Sequence, residues 1–316
     1  MKAKPILLAT RGSALALAQA SMVLAQCREK FPKLAFELLI VKTTGDKLHA
    51  ASLSKPDASL PKGLFTKELE IALLKRRADL AVHSLKDLPT ELPEGLKLGA
   101  VAGKRADARD VLVYKEPLAP GLKLAQLPKG LTVATSSTRR QAQLLALRPD
   151  FKVVEIRGNV ATRLRKLAAQ ADLDATILAA AGLGRLRFQL TAAGRLAGSE
   201  VPDGLLALPL DTGEMLPCVG QAAIGLEIRA DDEQTASLCR ELNDESTFQC
   251  VTAERALLRA LGGGCQTPIG AYATLEGTEL RLRAVSFLRG QVRRAEARAP
   301  VNEAAALGER VAAQLK

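Results

Sequence analysis

Ile6-Leu7-Leu8-Ala9-Thr10-Arg11-Gly12-Ser13 opens the chain's first regular element, and Leu131-Thr132-Val133-Ala134-Thr135-Ser136-Ser137-Thr138-Arg139-Arg140 repeats its plan. Each begins with an apolar run of strand length, followed by hydroxyl residues able to cap a helix and by arginine. In the first copy a helix is predicted over 13–30 and a strand over 35–41. In the second a helix over 138–147 leads to a strand over 151–156, a turn at Arg157-Gly158-Asn159, a helix over 160–169 and a strand over 174–180. Between the copies, 63–77 carries helical periodicity and 79–83 reads as a strand. Strands alternating with helices at this spacing predict parallel βαβ units with right-handed crossovers. The fold class expected is therefore α/β, with two similar α/β domains. Residues 186–215 are less regular, and 216–228 reads as a hinge and strand. From about Asp244 the pattern changes. A helix over 252–261, capped near Ser246 or Thr247, short alternating strands over 269–275, 280–287 and 293–298, and a closing helix over 302–314 predict a small α+β domain with an antiparallel sheet.

A length of 316 residues favours two or three domains, and 47% hydrophobic residues suffice for a core in each. Aromatics are only 3% and Trp is absent, so Leu, Ala, Val and Ile fill those cores. No apolar run approaches a membrane span, and the apolar stretch near the N-terminus is too short for a signal-peptide core. The expectation is a cytoplasmic protein with no membrane partner. The five cysteines form no C-x-x-C pair and there are two histidines, so no metal site is expected. An odd count in a reducing compartment implies free thiols. The net charge is +11. Nucleic acid is a poor explanation, because aromatics for base stacking are scarce and no Lys/Arg block stands out. A polyanionic small molecule explains the charge if the arginines converge.

Ligands of open parallel sheets bind beyond the carboxyl ends of the strands. The residues that come after each predicted strand are Arg11 and Ser13; Ser84, Lys86 and Asp87; Ser136, Ser137, Arg139 and Arg140; Arg157, Asn159 and Arg163; and Arg185. Nearly all are cations, hydroxyls or amides. Arginine at a helix N-terminus opposes the helix dipole, so Arg139 and Arg140 read as placed for a ligand with several carboxylates, which guanidinium groups bind bidentately. Asp87 is the exception. A lone carboxylate at the rim of a cationic field is suited to stabilising a developing positive charge or to moving a proton. His83 reads as the end of a buried strand. Finally, Leu261-Gly262-Gly263-Gly264-Cys265-Gln266-Thr267-Pro268 places a lone thiol behind three glycines. The stretch reads either as a thiol presented for covalent attachment or as a Gly-rich turn with an incidental core cysteine.

The combination resembles the porphobilinogen deaminase family. The matching stretches are 9–13, Lys62 to Glu70, Ala78 to Pro89, Thr135 to Gln141, Arg157 to Val160, Val251 to Ala256 and the Cys265 loop, in family order over nearly the whole chain. The resemblance implies two periplasmic-binding-protein-like α/β domains, 1–103 with 217–241 and 106–215, plus a third at 244–316, with hinges near Gly103, Pro217 and Asn243. It implies a transferase that joins four porphobilinogen molecules head to tail with loss of ammonia and releases linear hydroxymethylbilane by hydrolysis. It also implies a dipyrromethane cofactor held through a thioether to Cys265. Asp87 matches the catalytic acid. Arg11, Ser13, Lys86, Ser137, Arg139, Arg140, Arg157, Arg163 and Arg185 fall on positions that bind acetate and propionate groups, with Gly158 and Asn159 in the same turn. Lys62 falls in the active-site loop. The departures are that the stretch before Lys62 is longer than usual, that Ala222 stands where glycine is common, that Gly184 precedes Arg185 where lysine is frequent, and that 186–215 is longer than typical. The partners expected are porphobilinogen and the growing polypyrrole, with no nucleic acid, and the chain is expected to be a monomer. The rival reading is a non-enzymatic polycarboxylate-binding protein on the same scaffold, which accounts for the arginines but not for Cys265 or Asp87.

Overall fold

The computed structural model describes residues 4–43, 65–264 and 266–316. Lys62, Cys265 and the stretch before Lys62 lie outside the described residues. The chain begins with β1 (Ile6–Arg11), α1 (Ala14–Lys30), β2 (Phe36–Val41), α2 (Lys67–Leu74), β3 (Leu80–Ser84) and β4 (Leu96–Val101). It crosses to β5 (Asp110–Lys115), β6 (Thr132–Ala134), α3 (Thr138–Leu147), β7 (Lys152–Val154), α4 (Val160–Ala169), β8 (Ala175–Ala179) and α5 (Ala180–Arg185). A small hairpin, β9 (Gln189–Leu190) and β10 (Leu196–Ala197), leads to β11 (Leu205–Pro209), after which the chain returns as β12 (Ile224–Arg229) and α6 (Glu233–Leu242). The last part is α7 (Glu245–Ala260), β13 (Ile269–Glu276), β14 (Glu279–Ser286), β15 (Arg293–Pro300) and α8 (Ala304–Gln314).

The two large sheets have one topology. The first runs β2-β1-β3-β12-β4, and the second, taken from its far edge, runs β7-β6-β8-β5-β11. In each, three parallel strands are followed by a fourth that runs against them, and the fifth pairs antiparallel with the fourth and so runs with the first three. The fourth strand of each sheet is supplied across the molecule: β5 comes directly from the outgoing crossover, and β12 from the returning one. Two like α/β units are thus confirmed. The third sheet, β13-β14-β15, is antiparallel, as expected.

Apolar residues on both faces of each strand explain the layering. Leu8, Val82, Leu226 and Ile228 pack under α1 and α6, while Ala9 and Ala81 meet Leu69 and Leu73 of α2. In the second sheet Val111, Val113 and Ala134 pack on Leu164 and Leu167 of α4, and Leu112, Tyr114 and Val133 pack toward Leu144 of α3. Burial on both faces suits the continuous apolar runs of parallel strands. The antiparallel sheet covers α7 and α8 through Leu280, Leu282, Leu257 and Leu307.

Several elements differ from the sequence reading. The helix expected over 252–261 begins at Glu245, because the Asp244 carboxylate accepts from the Thr247 amide at 2.9 Å and caps it there. β4, β5, β11 and α6 were not foreseen; β5 and β11 pair with strands distant in sequence. The hinge expected at Gly103 is a left-handed residue (φ 68°), and Ala102 bridges Asn243 there. Ala222 also takes a left-handed conformation (φ 73°), which accounts for glycine being the easier residue at that turn.

Candidate functional site

The residues that come after the parallel strands gather at one edge of each sheet. β5 and β12 run the other way, so their starts reach this same edge: Asp110 pairs with Ala179, and Ile224 with Ser84. A reading confined to strand carboxyl ends therefore misses Asp110, the first residue of β5, and Gln221, which lies just before β12. The signal available was a carboxylate set directly before the apolar run Val111-Leu112-Val113-Tyr114.

Three of the predicted residues are helix caps. Ser13 Oγ accepts from the Ala16 amide at 3.3 Å, Ser137 Oγ from Arg140 at 3.4 Å, and Asn159 Oδ1 from Thr162 at 2.8 Å. Both serine hydroxyls keep an O–H to donate. Gly158, between Arg157 and this last cap, has φ 123°, and a Cβ there would lie 2.7 Å from Thr162 Cγ2, so the turn requires glycine.

The cations divide into two kinds. Arg139 and Arg140 are buried and share one carboxylate. Arg140 donates to Asp110 Oδ1 from Nη2 at 2.8 Å and Nε at 3.2 Å, and from Nη1 to the Ile177 carbonyl at 2.8 Å. Arg139 pairs with Asp110 Oδ2 at 2.8 Å and donates to the Leu216 carbonyl at 2.7 Å. The sequence did not foresee this internal pairing. Although burial alone favours its neutral form, the two guanidinium groups hold the Asp110 carboxyl well below the usual carboxylate range.

Arg163, Arg185 and Lys86 are different. Arg163 Nε donates to the Gly158 carbonyl at 2.8 Å, and Arg185 Nη2 to the Ala222 carbonyl at 2.6 Å. Burial pushes both guanidinium groups down to about 10, and Arg140 adds to the effect at Arg163. The Lys86 ammonium is likewise lowered by burial, with Asp87 opposing and Arg140 reinforcing the shift. Arg109, Arg148 and Arg281 are instead raised by hydrogen bonds to Asp107, Asp150 and Glu296, and Arg105, despite burial, by Glu254. Among the described residues, the basic groups shifted down are all members of the predicted site. Arg163 and Arg185, which donate to backbone carbonyls, are in a condition that a bound anion relieves. The remaining two cations lie further out. Arg11 stands over the Phe65 ring at 4.2 Å, and Arg157 reaches Glu155 at 3.4 Å.

Asp87 closes a single 3-10 turn, Leu85–Asp87, directly after β3, and is half-buried. The turn is clamped from two sides. The Leu85 amide donates to the Ala223 carbonyl at 3.0 Å, and Arg255 of α7 donates to the Leu88 and Pro89 carbonyls at 3.0 and 2.6 Å. His83, one strand position inward, lies 2.9 Å from Glu227 of β12, both buried.

The residues flanking Cys265 are held close to this edge. Thr138 Oγ1, in the first turn of α3, donates to the Gln266 carbonyl at 2.6 Å, and the Gly264 amide donates to Thr267 Oγ1 at 2.7 Å. The three glycines have separate tasks. Gly262 is left-handed (φ 65°), a Cβ on Gly263 would lie 2.6 Å from Leu258, and Gly264 faces open space. The other thiols are unsuited to attack. Burial pushes Cys27 and Cys250 up to about 11 and Cys239 to about 12, and raises Cys218 as well. Among the described residues no cluster of metal-ligating side chains occurs.

Two family models match the chain. Porphobilinogen deaminase, dipyromethane cofactor binding domain, matches residues 6–237, and porphobilinogen deaminase, C-terminal domain, matches 248–316. The chain is 48% identical over 281 residues to the porphobilinogen deaminase of Chlorobium limicola, covering 89% of this chain and 82% of that one. It is 47% identical over 279 residues to that of Syntrophobacter fumaroxidans, covering 88% and 83%. Among solved structures it aligns with the periplasmic aliphatic sulphonate binding protein SsuA of Escherichia coli at a TM-score of 0.40 and 13% identity, covering 82% of this chain and 75% of that one. On the matches that span both α/β units and the antiparallel domain, this chain belongs to the porphobilinogen deaminase family.

Proposed function

We propose that the chain is a hydroxymethylbilane synthase, a transferase that condenses four porphobilinogen molecules head to tail and releases the linear tetrapyrrole by hydrolysis. The observation that carries this reading is the set Lys86, Arg163 and Arg185, cations depressed by burial on the strand edge that also carries Asp87. Each pyrrole brings two carboxylates, so a chain of six presents about a dozen negative charges. Arg11 and Arg157 extend the cationic edge. Arg139 and Arg140 sit behind it on Asp110.

The residues present fit a dipyrromethane cofactor. The cations of this edge match its carboxylates, and the Cys265 loop, with open space at Gly264, is tied by Gln266 to the first turn of α3. When bound, the group supplies the pyrrole terminus from which the chain grows. Cys265 is the attachment residue in this reading, which the raised and buried state of the other thiols supports. Lys86, Arg163 and Arg185 bind and orient carboxylates. As the substrate C–N bond breaks and ammonia leaves, the Asp87 carboxylate stabilises the cation left on the pyrrole and holds its N–H. Ser13 and Ser137 keep an O–H for carboxylate oxygens. Lys62, which the family resemblance assigns to the active-site loop, is part of the same proposal.

The division into 1–103 with 217–241, 106–215 and 244–316 is part of the proposal, supported by one sheet in each. So is a cytoplasmic monomer without nucleic-acid or membrane partners. The unpaired thiols suit a reducing compartment, and among the described residues no helix is long and apolar enough to cross a membrane. Intact mass tests the reading. Protein from cells able to make porphobilinogen is expected to carry the added mass of two linked pyrroles, absent in Cys265→Ser. Asp87→Asn is expected to keep that mass and lose at least about 100-fold in turnover. A folded, unmodified chain without porphobilinogen consumption sinks the proposal in favour of a polycarboxylate-binding protein.

A further inference from the structure

Asp110 is fully buried at the first position of β5, on the edge that binds substrate in the proposed function. Three side chains from two distant parts of the chain meet its carboxylate. Arg139 and Arg140 come from the first turn of α3. The third is Gln221, from the returning crossover, whose Nε2 donates to Asp110 Oδ1 at 3.0 Å and to the Ala108 carbonyl at 2.7 Å. Asp110 itself ends the outgoing crossover. One carboxylate therefore joins α3 to both segments that connect the α/β units. The link continues outward. The Gln221 carbonyl accepts from Arg105 Nε at 2.8 Å, and Arg105 reaches the buried Glu254 of α7 at 2.6 and 3.1 Å.

A purely structural ion pair does not require this arrangement. Two guanidinium groups share one carboxylate, and Arg140 is close enough to Lys86 and Arg163 to push both down. The cluster keeps a surplus of positive charge at the site. The two arginines also stand at a helix N-terminus, where the dipole opposes them. Asp110 is what holds them there.

We propose that Asp110 is a positioning residue for the condensation: its carboxylate orients Arg139 and Arg140 toward the carboxylates of porphobilinogen and the growing chain, and Gln221 ties that orientation to the crossover segments. The inference rests on the proposed function. It places no part of the chemistry on Asp110 and adds no covalent step. Orientation of binding groups acts on ground state and transition state alike, so its loss raises KM more than it lowers kcat.

The test is steady-state kinetics with porphobilinogen, normalised to the fraction of enzyme carrying the two-pyrrole mass, for the wild type, Asp110→Asn, Asp110→Glu and Gln221→Leu. In Asp110→Asn, KM is expected to rise about tenfold with kcat within about threefold. Asp110→Glu is expected to recover part of the loss. Gln221→Leu leaves both arginine–carboxylate pairs in place and is expected to raise KM about threefold. A wild-type KM in Asp110→Asn, with only a lower melting temperature or a smaller active fraction, makes the residue structural and overturns the inference. If Asp110→Asn does not fold, an unchanged KM in Gln221→Leu overturns it. A wild type that consumes no porphobilinogen instead overturns the functional reading, and the inference with it.

Discussion

Two groups of arginines lie along the same strand edge and live under opposite conditions. Behind the edge, Arg139, Arg140 and Arg105 are buried against Asp110 and Glu254, with every carboxylate supplied by the chain. At the edge, Arg163 and Arg185 are substantially buried yet donate to backbone carbonyls, and each is held down at about 10. The charge and residue type are the same, so the difference lies in who provides the anion. The inner group is anchored on carboxylates of the chain itself, and the outer group carries a cost that, in the proposed function, a bound polycarboxylate relieves.

Breaking an inner pair is expected to have the largest effect. Arg105→Met strands the fully buried Glu254, which also accepts from the Gly220 and Ala273 amides at 2.8 and 2.9 Å. Removal of one partner of such a pair costs about 3–5 kcal/mol, read as a lower denaturant midpoint. A loss below about 1 kcal/mol, the range of surface pairs, erases the distinction between the groups.

Removal of an outer cation is expected to separate stability from binding. Arg163→Leu and Arg185→Leu each lose one hydrogen bond to a carbonyl but also a poorly compensated charge, so stability changes by less than about 1 kcal/mol. Binding of porphobilinogen, or assembly of the cofactor followed by mass, is expected to weaken by about 10- to 100-fold, as for loss of a charge-assisted hydrogen bond. Parallel losses in folding and binding would merge the two groups.

The smallest effect sharpens the inner side by pH. The folded-state pKa of Asp110 is depressed, so its contribution to stability is complete above the unfolded value, near pH 4, and is lost as pH falls below it. Urea titrations between about pH 4 and 2 are expected to show a shallower fall for Asp110→Asn than for the wild type, by up to about one proton. An identical slope would mean that the arginine pair does not hold that carboxylate.

Local features were legible in the sequence. The strand-then-cap motifs at Thr10 to Ser13 and Thr135 to Ser137 announced two like α/β units, because capping and strand length depend on neighbours in the chain. Helix α4 and the Arg157-Gly158-Asn159 turn before it were visible for the same reason, while the structure adds that Asn159 caps the helix. The hidden part is non-local. β5 and β12 enter each sheet antiparallel, so the residues that reach the site stand at or just before the starts of those strands. Asp110 and Gln221 escaped notice on that account.

The sequence alone determined the α/β class and the antiparallel third domain, which are written in periodicity and capping, and by residue type it named the cations, Asp87 and the glycine-flanked Cys265 on which the proposed function rests. Only the tertiary structure decided which of those cations the protein neutralises itself. That depends on a carboxylate 29 residues before Arg139 coming within 2.8 Å of it, and on none doing so for Arg163 or Arg185 among the described residues. Charge is a property of a residue, whereas its compensation is a property of the distances that folding sets.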